Sequence, residues 1–203
     1  MSGALSGTRR GAVSRKHQLA AALAEREFWI FGYGSLMWDP GFRHAEAHPA
    51  LLHGYHRRFC VYSHRYRGTP ERPGLVLGLD RGGACRGMAY RIAKRDVGPA
   101  LRHLWEREMR GGVYLMRRVR VRLNARAVMA HAFIVNRGHP GYAGALTSEE
   151  TARLILQGAG ARGHCRHYLE NTVRHLEALG LADGPLHRLA EIVAGLGKGA
   201  GTP

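Results

Sequence analysis

Carboxylates are scarce in this chain, 15 Asp and Glu against 31 Lys and Arg, so an acidic residue beside a structural break is a candidate for proton transfer. Glu106 and Glu108 fall in WEREMRGG, at the end of a segment with helical spacing. Two positions apart on a helix, they do not share a face. They therefore do not read as a paired acid/base dyad: one can turn inward while the other stays in water. A carboxylate drawn out of water has a raised pKa and can move protons near neutral pH. A plain surface glutamate is the competing reading for either residue.

A second constellation is Gly32-Tyr33-Gly34-Ser35-Leu36, which follows the hydrophobic run Phe28–Phe31. Glycines there let backbone N–H groups converge on an anion with no side chain in the way; a purely structural turn is the alternative. The spacing matches neither a phosphate-binding loop with its lysine nor a dinucleotide fingerprint. The order G-Y-G-S-L is also not a nucleophile elbow, so Ser35 is not expected to attack substrate. His164 and His167, three apart on an expected helix, have metal-ligand spacing, but no complete metal motif surrounds them. His131, inside a strand pattern, reads as a hydrogen-bonded structural residue. Cys60, Cys85 and Cys165 are too few and too scattered for a disulfide framework, and no CxxC pair supports a zinc site.

These residues need elements to hold them. Residues 14–27 have short helical spacing with Ser14 as a cap, and the aromatic start of residues 28–42 reads as a strand broken at Gly32 and Gly34. Residues 51–64 suggest one bent strand and residues 65–74 a Gly- and Pro-rich loop. The runs 75–80 and 85–92, on either side of Arg81-Gly82-Gly83, predict a hairpin with Asp80 near its turn. Residues 96–109 change to helical spacing and stop at Gly111 and Gly112. In residues 117–124, Val119, Val121 and Leu123 alternate with Arg118, Arg120 and Arg122, the pattern of a strand with one buried and one solvated face. Residues 127–135 predict a more central strand. Residues 148–196 predict two or three helices, broken near 158–163 and 180–184.

Strands, one helix, more strands and a helical tail give no βαβ repeat. The expectation is a single α+β domain over residues 13–198, with a mainly antiparallel sheet able to curl into a barrel, behind a disordered basic N-terminus at residues 1–12. The composition, 45% hydrophobic and 23% charged, is that of a globular chain. A formal charge of +16 favours anionic partners of some kind, but the arginines are spread over the length of the chain and not gathered in a tail. No apolar run approaches the roughly 20 residues that span a bilayer, and no secretory pattern opens the chain. Reduced cytoplasm, with no membrane and no nucleic-acid partner, is the expected setting.

Five segments, in order, resemble the ChaC family of γ-glutamylcyclotransferases. They are FGYGSLMWDPGF (31–42), GYHRRFCVYSHRYRGTPERPGLVLGLD (54–80), GMAYRI (87–92), LWEREMRGGVY (104–114) and GHCRHYLENTVRHLEALGLAD (163–183). The resemblance implies a barrel-like mixed fold with peripheral helices. It also implies cleavage of glutathione to 5-oxoproline and cysteinylglycine, with no metal or organic cofactor. It places the family's essential glutamate at Glu108, and its substrate-holding turn at Tyr33, Gly34, Ser35 and Leu36. A binding-site tyrosine maps to Tyr168. One departure stands out: Arg162 and Cys165 occupy positions where the family usually has serine and asparagine. The substrate's glycyl carboxylate would be drawn by Arg57, Arg72 or the 118–122 arginine row. Two other readings remain open at this point: cyclisation of another γ-glutamyl amine or dipeptide, and a non-catalytic protein that binds nucleic acid or another anion. Oligomeric state is not legible.

Overall fold

The alternating run of valines and arginines forms an outer wall of a closed five-stranded barrel. In the computed structural model, which describes residues 15–109 and 111–199, this strand spans Tyr114–Arg122 (β4). Val119 and Val121 are buried while Arg118, Arg120 and Arg122 are exposed, as period-two patterning requires. It pairs antiparallel with Ala127–Val135 (β5), Val121 opposite Val128. β5 is buried almost throughout, because it also lies parallel to Phe28–Gly32 (β1) through Ile30 and His131. His131 is structural, its Nε2 2.8 Å from Glu25 Oε1 and its ring stacked on Phe28 at 4.7 Å.

The two longest strands complete the wall in the order β1-β3-β2-β4-β5. Glu46–Ser63 (β2) and Gly74–Ile92 (β3) pair antiparallel from Glu46↔Arg91 to Ser63↔Gly74. The hairpin expected at Arg81-Gly82-Gly83 is not there: the chain runs through those residues as one strand. Gly82 (φ 102°) and Gly83 (φ 66°) sit across from Gly54 (φ 82°), where the register shifts between His53 and Tyr55. Positive-φ glycines serve a bulge as readily as a turn, and β2 is long enough to pair both halves of β3. The bend lets one end of β3 pair with β1 and the other touch β5 at Leu79↔Ile134. Asp80 is fully buried and does not cap a turn; it accepts from Arg137 Nε (2.6 Å), Tyr142 Oη (2.8 Å) and the Arg81 N–H (2.9 Å). Burial pushes its pKa up, and those hydrogen bonds outweigh it to hold the carboxyl below its usual range.

Among the described residues five helices flank the barrel: Arg15–Ala24 (α1), Val97–Glu108 (α2), Ser148–Gln157 (α3), Cys165–Ala178 (α4) and Gly184–Gly199 (α5). Leu101 and Leu104 of α2 pack with Phe28, Ile30 and Tyr90 on one side of the sheet. The larger core joins the barrel interior to Ile155, Leu169, Leu176 and Val193 of α3, α4 and α5. Thr147 and Glu150 form a reciprocal cap at the start of α3. Residues 1–12 and the expected Ser14 cap lie outside the described residues.

The break between α3 and α4 folds back as two tiny strands, Ala159–Gly160 (β6) and Gly163–His164 (β7). It lies on the 65–74 loop at backbone contact. A Cβ on Gly160 would fall 2.7 Å from Arg65 O and Gly68 N, and one on Gly158 2.4 Å from Arg67 O. The N–H groups of Ala161 and Arg162 donate to the carbonyls of Arg65 and Tyr66, both at 2.9 Å.

Candidate active site

β1 ends at Gly32, and the chain turns at once into a short 3-10 turn, Ser35–Met37. The turn is packed tightly: a Cβ on Gly32 would meet Leu36 Cβ at 3.1 Å, and one on Gly34 would touch Leu77 of β3 and the Tyr168 hydroxyl of α4. Met37 and Trp38 N–H donate to Gly34 and Ser35 carbonyls. Among the described residues, no backbone carbonyl accepts from the N–H of Gly34, Ser35 or Leu36. Tyr33, Gly34 and Leu36 are buried.

The last turn of α2 faces this loop. Glu106 is exposed, whereas the Glu108 side chain is only 17% accessible, so the two glutamates diverge as their spacing requires. Arg107 ties the helix to the turn. It donates to Ser35 Oγ (2.8 Å) and the Asp39 carbonyl (2.8 Å), and its Nε lies 3.3 Å from Glu108 Oε1. Met109 caps the helix, and Gly111 and Gly112, with φ of 88° and 76°, lead the chain into β4. There Tyr114 donates to the Leu77 carbonyl at 2.6 Å.

Between these elements lies a cavity of about 750 Å³, within the range of small-molecule sites. Tyr33, Gly34, Ser35, Leu36, Glu108 and Tyr168 all line it, and so do Tyr114, Arg67, Arg107 and Arg162. Burial raises the Glu108 pKa above 4.5, and the Arg107 and Arg162 guanidiniums oppose that rise. Tyr33, Tyr114 and Tyr168 are all pushed well above the ordinary tyrosine value, first by burial and then by neighbouring acidic groups including Glu108. All three hydroxyls therefore keep their protons; Tyr114 spends its own on the Leu77 carbonyl, and those of Tyr33 and Tyr168 remain as donors in the cavity that holds Glu108.

The arginines expected to draw the glycyl carboxylate do not line this cavity. Arg57 is buried outside the cavity, paired with Asp183 at 3.1 Å and bonded to the Arg86 carbonyl, where it ties β2 to the chain ahead of α5. Arg72 is exposed and does not line the cavity, and the 118–122 row decorates the barrel's outer face. Of the two departures, Arg162 reaches the cavity, but Cys165 is buried beneath it with Sγ donating to the Leu75 carbonyl at 2.8 Å. Tyr114 was missed as a site residue; its signal was its place just past the double glycine that follows Glu108. His164 and His167 stack edge to face at 5.5 Å. No group of three or more His, Cys, Asp or Glu among the described residues is placed to hold a metal ion.

The family model described as ChaC-like protein matches residues 28–196. The chain belongs to the ChaC family. The match starts at the first residue of β1 and ends within α5, so every strand of the barrel and every wall of the cavity falls inside it. Over 183 residues the chain is 38% identical to the glutathione-specific gamma-glutamylcyclotransferase of Escherichia coli (strain K12), covering 88% of this chain and 79% of that one. It is 33% identical over 174 residues to the human glutathione-specific gamma-glutamylcyclotransferase 1, covering 83% and 78%. The crystal structure of a glutathione-specific gamma-glutamyl cyclotransferase from yeast superposes with a TM-score of 0.76 at 24% identity, covering 84% of this chain and 96% of that one. That likeness shows the shared fold: an α+β ChaC barrel flanked by helices.

Proposed function

We propose that this chain cleaves glutathione by cyclising its γ-glutamyl half to 5-oxoproline, releasing cysteinylglycine, with Glu108 moving the protons. The observation that carries the reading is a single largely buried carboxylate with a raised pKa, set among three protonated tyrosines and the glycine turn in one cavity. The named activity of the E. coli and human relatives supports the choice of substrate.

The reaction asks little of the protein beyond positioning. The α-amino group and γ-carbonyl already belong to one molecule, so a cavity that holds the folded conformer removes much of the entropic barrier. Glu108 takes a proton from the α-ammonium. The freed nitrogen attacks the γ-carbonyl carbon and closes the five-membered ring. The bond from that carbon to the cysteinyl nitrogen then breaks; Glu108 passes its proton to the leaving nitrogen, then takes the ring nitrogen's surplus proton, which ends on the released amine as its ammonium. A carboxylate whose pKa is raised by burial is the stronger base for the first step. The unpaired N–H groups of residues 34–36 take up negative charge on the substrate, on its α-carboxylate or on the oxyanion that develops during attack. Tyr33 and Tyr168 add hydroxyl donors that orient it, while Tyr114, its proton held by the Leu77 carbonyl, shapes the wall beside them.

The reading sets this activity in a reducing cytoplasm, with which the free, buried thiols of Cys60, Cys85 and Cys165 are compatible. No helix among the described residues is long and apolar enough to cross a membrane.

The test is 5-oxoproline release by purified, metal-free protein from glutathione and a panel of γ-glutamyl amines and dipeptides, with Glu108→Gln beside it. The parent is expected to turn over glutathione, and the variant to lose about 10²- to 10⁴-fold with its fold intact. Equal turnover in a folded variant would overturn the mechanism. Release only from another panel member would move the substrate assignment and leave Glu108 in its role.

A further inference from the structure

Among the described residues three guanidinium groups line the cavity, and they are not equivalent. Arg107 is engaged on every side, by Ser35, the Asp39 carbonyl and Glu108. Arg67 and Arg162 have no carboxylate within ion-pair distance among the described residues. Arg67 lies over the Tyr168 ring at 5.2 Å and spends its Nη1 on the carbonyls of Arg162 and His164. The Arg162 guanidinium lies over the Tyr66 ring at 4.8 Å and donates to no protein acceptor among the described residues.

Stacking on an aromatic face fixes the plane of a guanidinium while leaving its N–H edge open to a planar carboxylate. The support beneath is rigid. Arg162 and Tyr66 sit on two segments joined by backbone hydrogen bonds and by a glycine contact too close for any side chain. Arg162 is exposed where it lines the cavity, whereas Glu108 is largely buried; an unpaired, pre-oriented cation on the solvent side of a site whose base lies deeper suits a ligand that carries an anion on its outer end.

A γ-glutamyl peptide is such a ligand. Its reacting end belongs to Glu108 and the 33–36 turn, and its remaining anion is the C-terminal carboxylate of the leaving peptide. The geometry points to Arg162, backed by Arg67, as the subsite that binds this carboxylate, so that the protein selects γ-glutamyl peptides over γ-glutamyl amines that lack one. The inference rests on the cyclotransferase reading for its choice of ligand.

Arg162 also acts on Glu108 through its charge, so a loss of activity on its removal is not by itself informative. The ratio of two substrates is, because an effect through Glu108 cancels in it. The experiment compares kcat/KM for glutathione and for its glycyl ethyl ester in the parent, Arg162→Ala and Arg162→Glu. The parent is expected to favour glutathione by about 10- to 100-fold, the range of a hydrogen-bonded charge. Arg162→Ala is expected to lose most of that ratio through KM, and Arg162→Glu to favour the ester. Equal losses on both substrates would overturn the subsite. Calorimetric binding of the same two compounds to Glu108→Gln, with and without Arg162→Ala, separates the two ideas. If the parent releases no 5-oxoproline but Glu108→Gln discriminates through Arg162, the subsite stands and the reaction reading falls. If the parent turns over glutathione and neither binding nor kcat/KM discriminates, the subsite falls and the reaction stands.

Discussion

A buried carboxylate that must ionise to work carries a stability cost that can be measured. Glu108 is pushed above its ordinary value of 4.5 by burial, against the opposing charges of Arg107 and Arg162. For a group whose folded pKa is raised, the folded state binds the extra proton. Stability attached to that proton is present below 4.5 and is lost as pH rises through the raised folded value. Above that raised value the parent holds an ionised side chain that the unfolded chain would solvate better, whereas Glu108→Gln does not. The variant is expected to gain in melting temperature over the parent as pH rises above 4.5, with the gap closing at pH 4 and below. Thermal melts of both proteins at four or five pH values check this, and a gap independent of pH would show that Glu108 is not desolvated. The same titration sets the acidic limb of turnover, which should rise with pH as Glu108 loses its proton and should be centred above 4.5.

At the scale of elements, the site is held where distant backbone segments touch. The 65–74 loop supplies Tyr66 and Arg67, the 158–164 turn supplies Arg162, and the contact between them leaves no room for a Cβ at Gly160. The atoms in the way are the backbone of Arg65 and Gly68, which cannot swing aside as a side chain can. Gly160→Ala is expected to cost about 1–3 kcal/mol as an overpacked contact, lowering Tm by about 2–4 °C per kcal/mol for a chain of this size. KM for glutathione should rise with it, because both sides of the cavity mouth shift. A parent-like melt and KM would mean that the two segments are not in register as described. This contact also marks the limit of sequence reading. Val119, Val121 and Leu123 declared their strand because period-two burial is a local property, and α2 ended where its glycines demanded. Gly82 and Gly83 misled because a bulge and a turn use the same positive-φ residues, and only the length of the partner strand decides between them. Arg67 carried no local mark among 31 basic residues; its role comes from Tyr168, about a hundred residues away, which the fold brings beneath it. Glu108, Tyr33 and Tyr168 were legible only through resemblance to ChaC proteins. Spacing alone left Glu108 and Glu106 equal until burial separated them.

For the molecule as a whole, the formal charge of +16 stands against a cavity whose lining, among the described residues, is nearly balanced. Arg67, Arg107 and Arg162 line it with Asp39, Glu106 and Glu108, so the excess lies elsewhere, in part on the outward arginines of β4. Charges at that remove act on an anionic substrate through the field of the whole protein, which salt screens over about 8–10 Å at 0.1–0.15 M. Groups in contact with bound substrate inside the cavity are screened much less. Capture should therefore be salt-sensitive and chemistry should not. Between about 10 mM and 0.5 M salt, where the Debye length falls from about 30 Å to a few ångströms, kcat/KM for glutathione is expected to fall several-fold while kcat holds. The glycyl ethyl ester, without the second carboxylate, should show a shallower fall, since it offers the field less charge. A flat kcat/KM for both would confine the positive surface to solubility. A steep fall in kcat itself would instead show that the outer arginines, and Arg118 to Arg122 first among them, are coupled to the groups around Glu108.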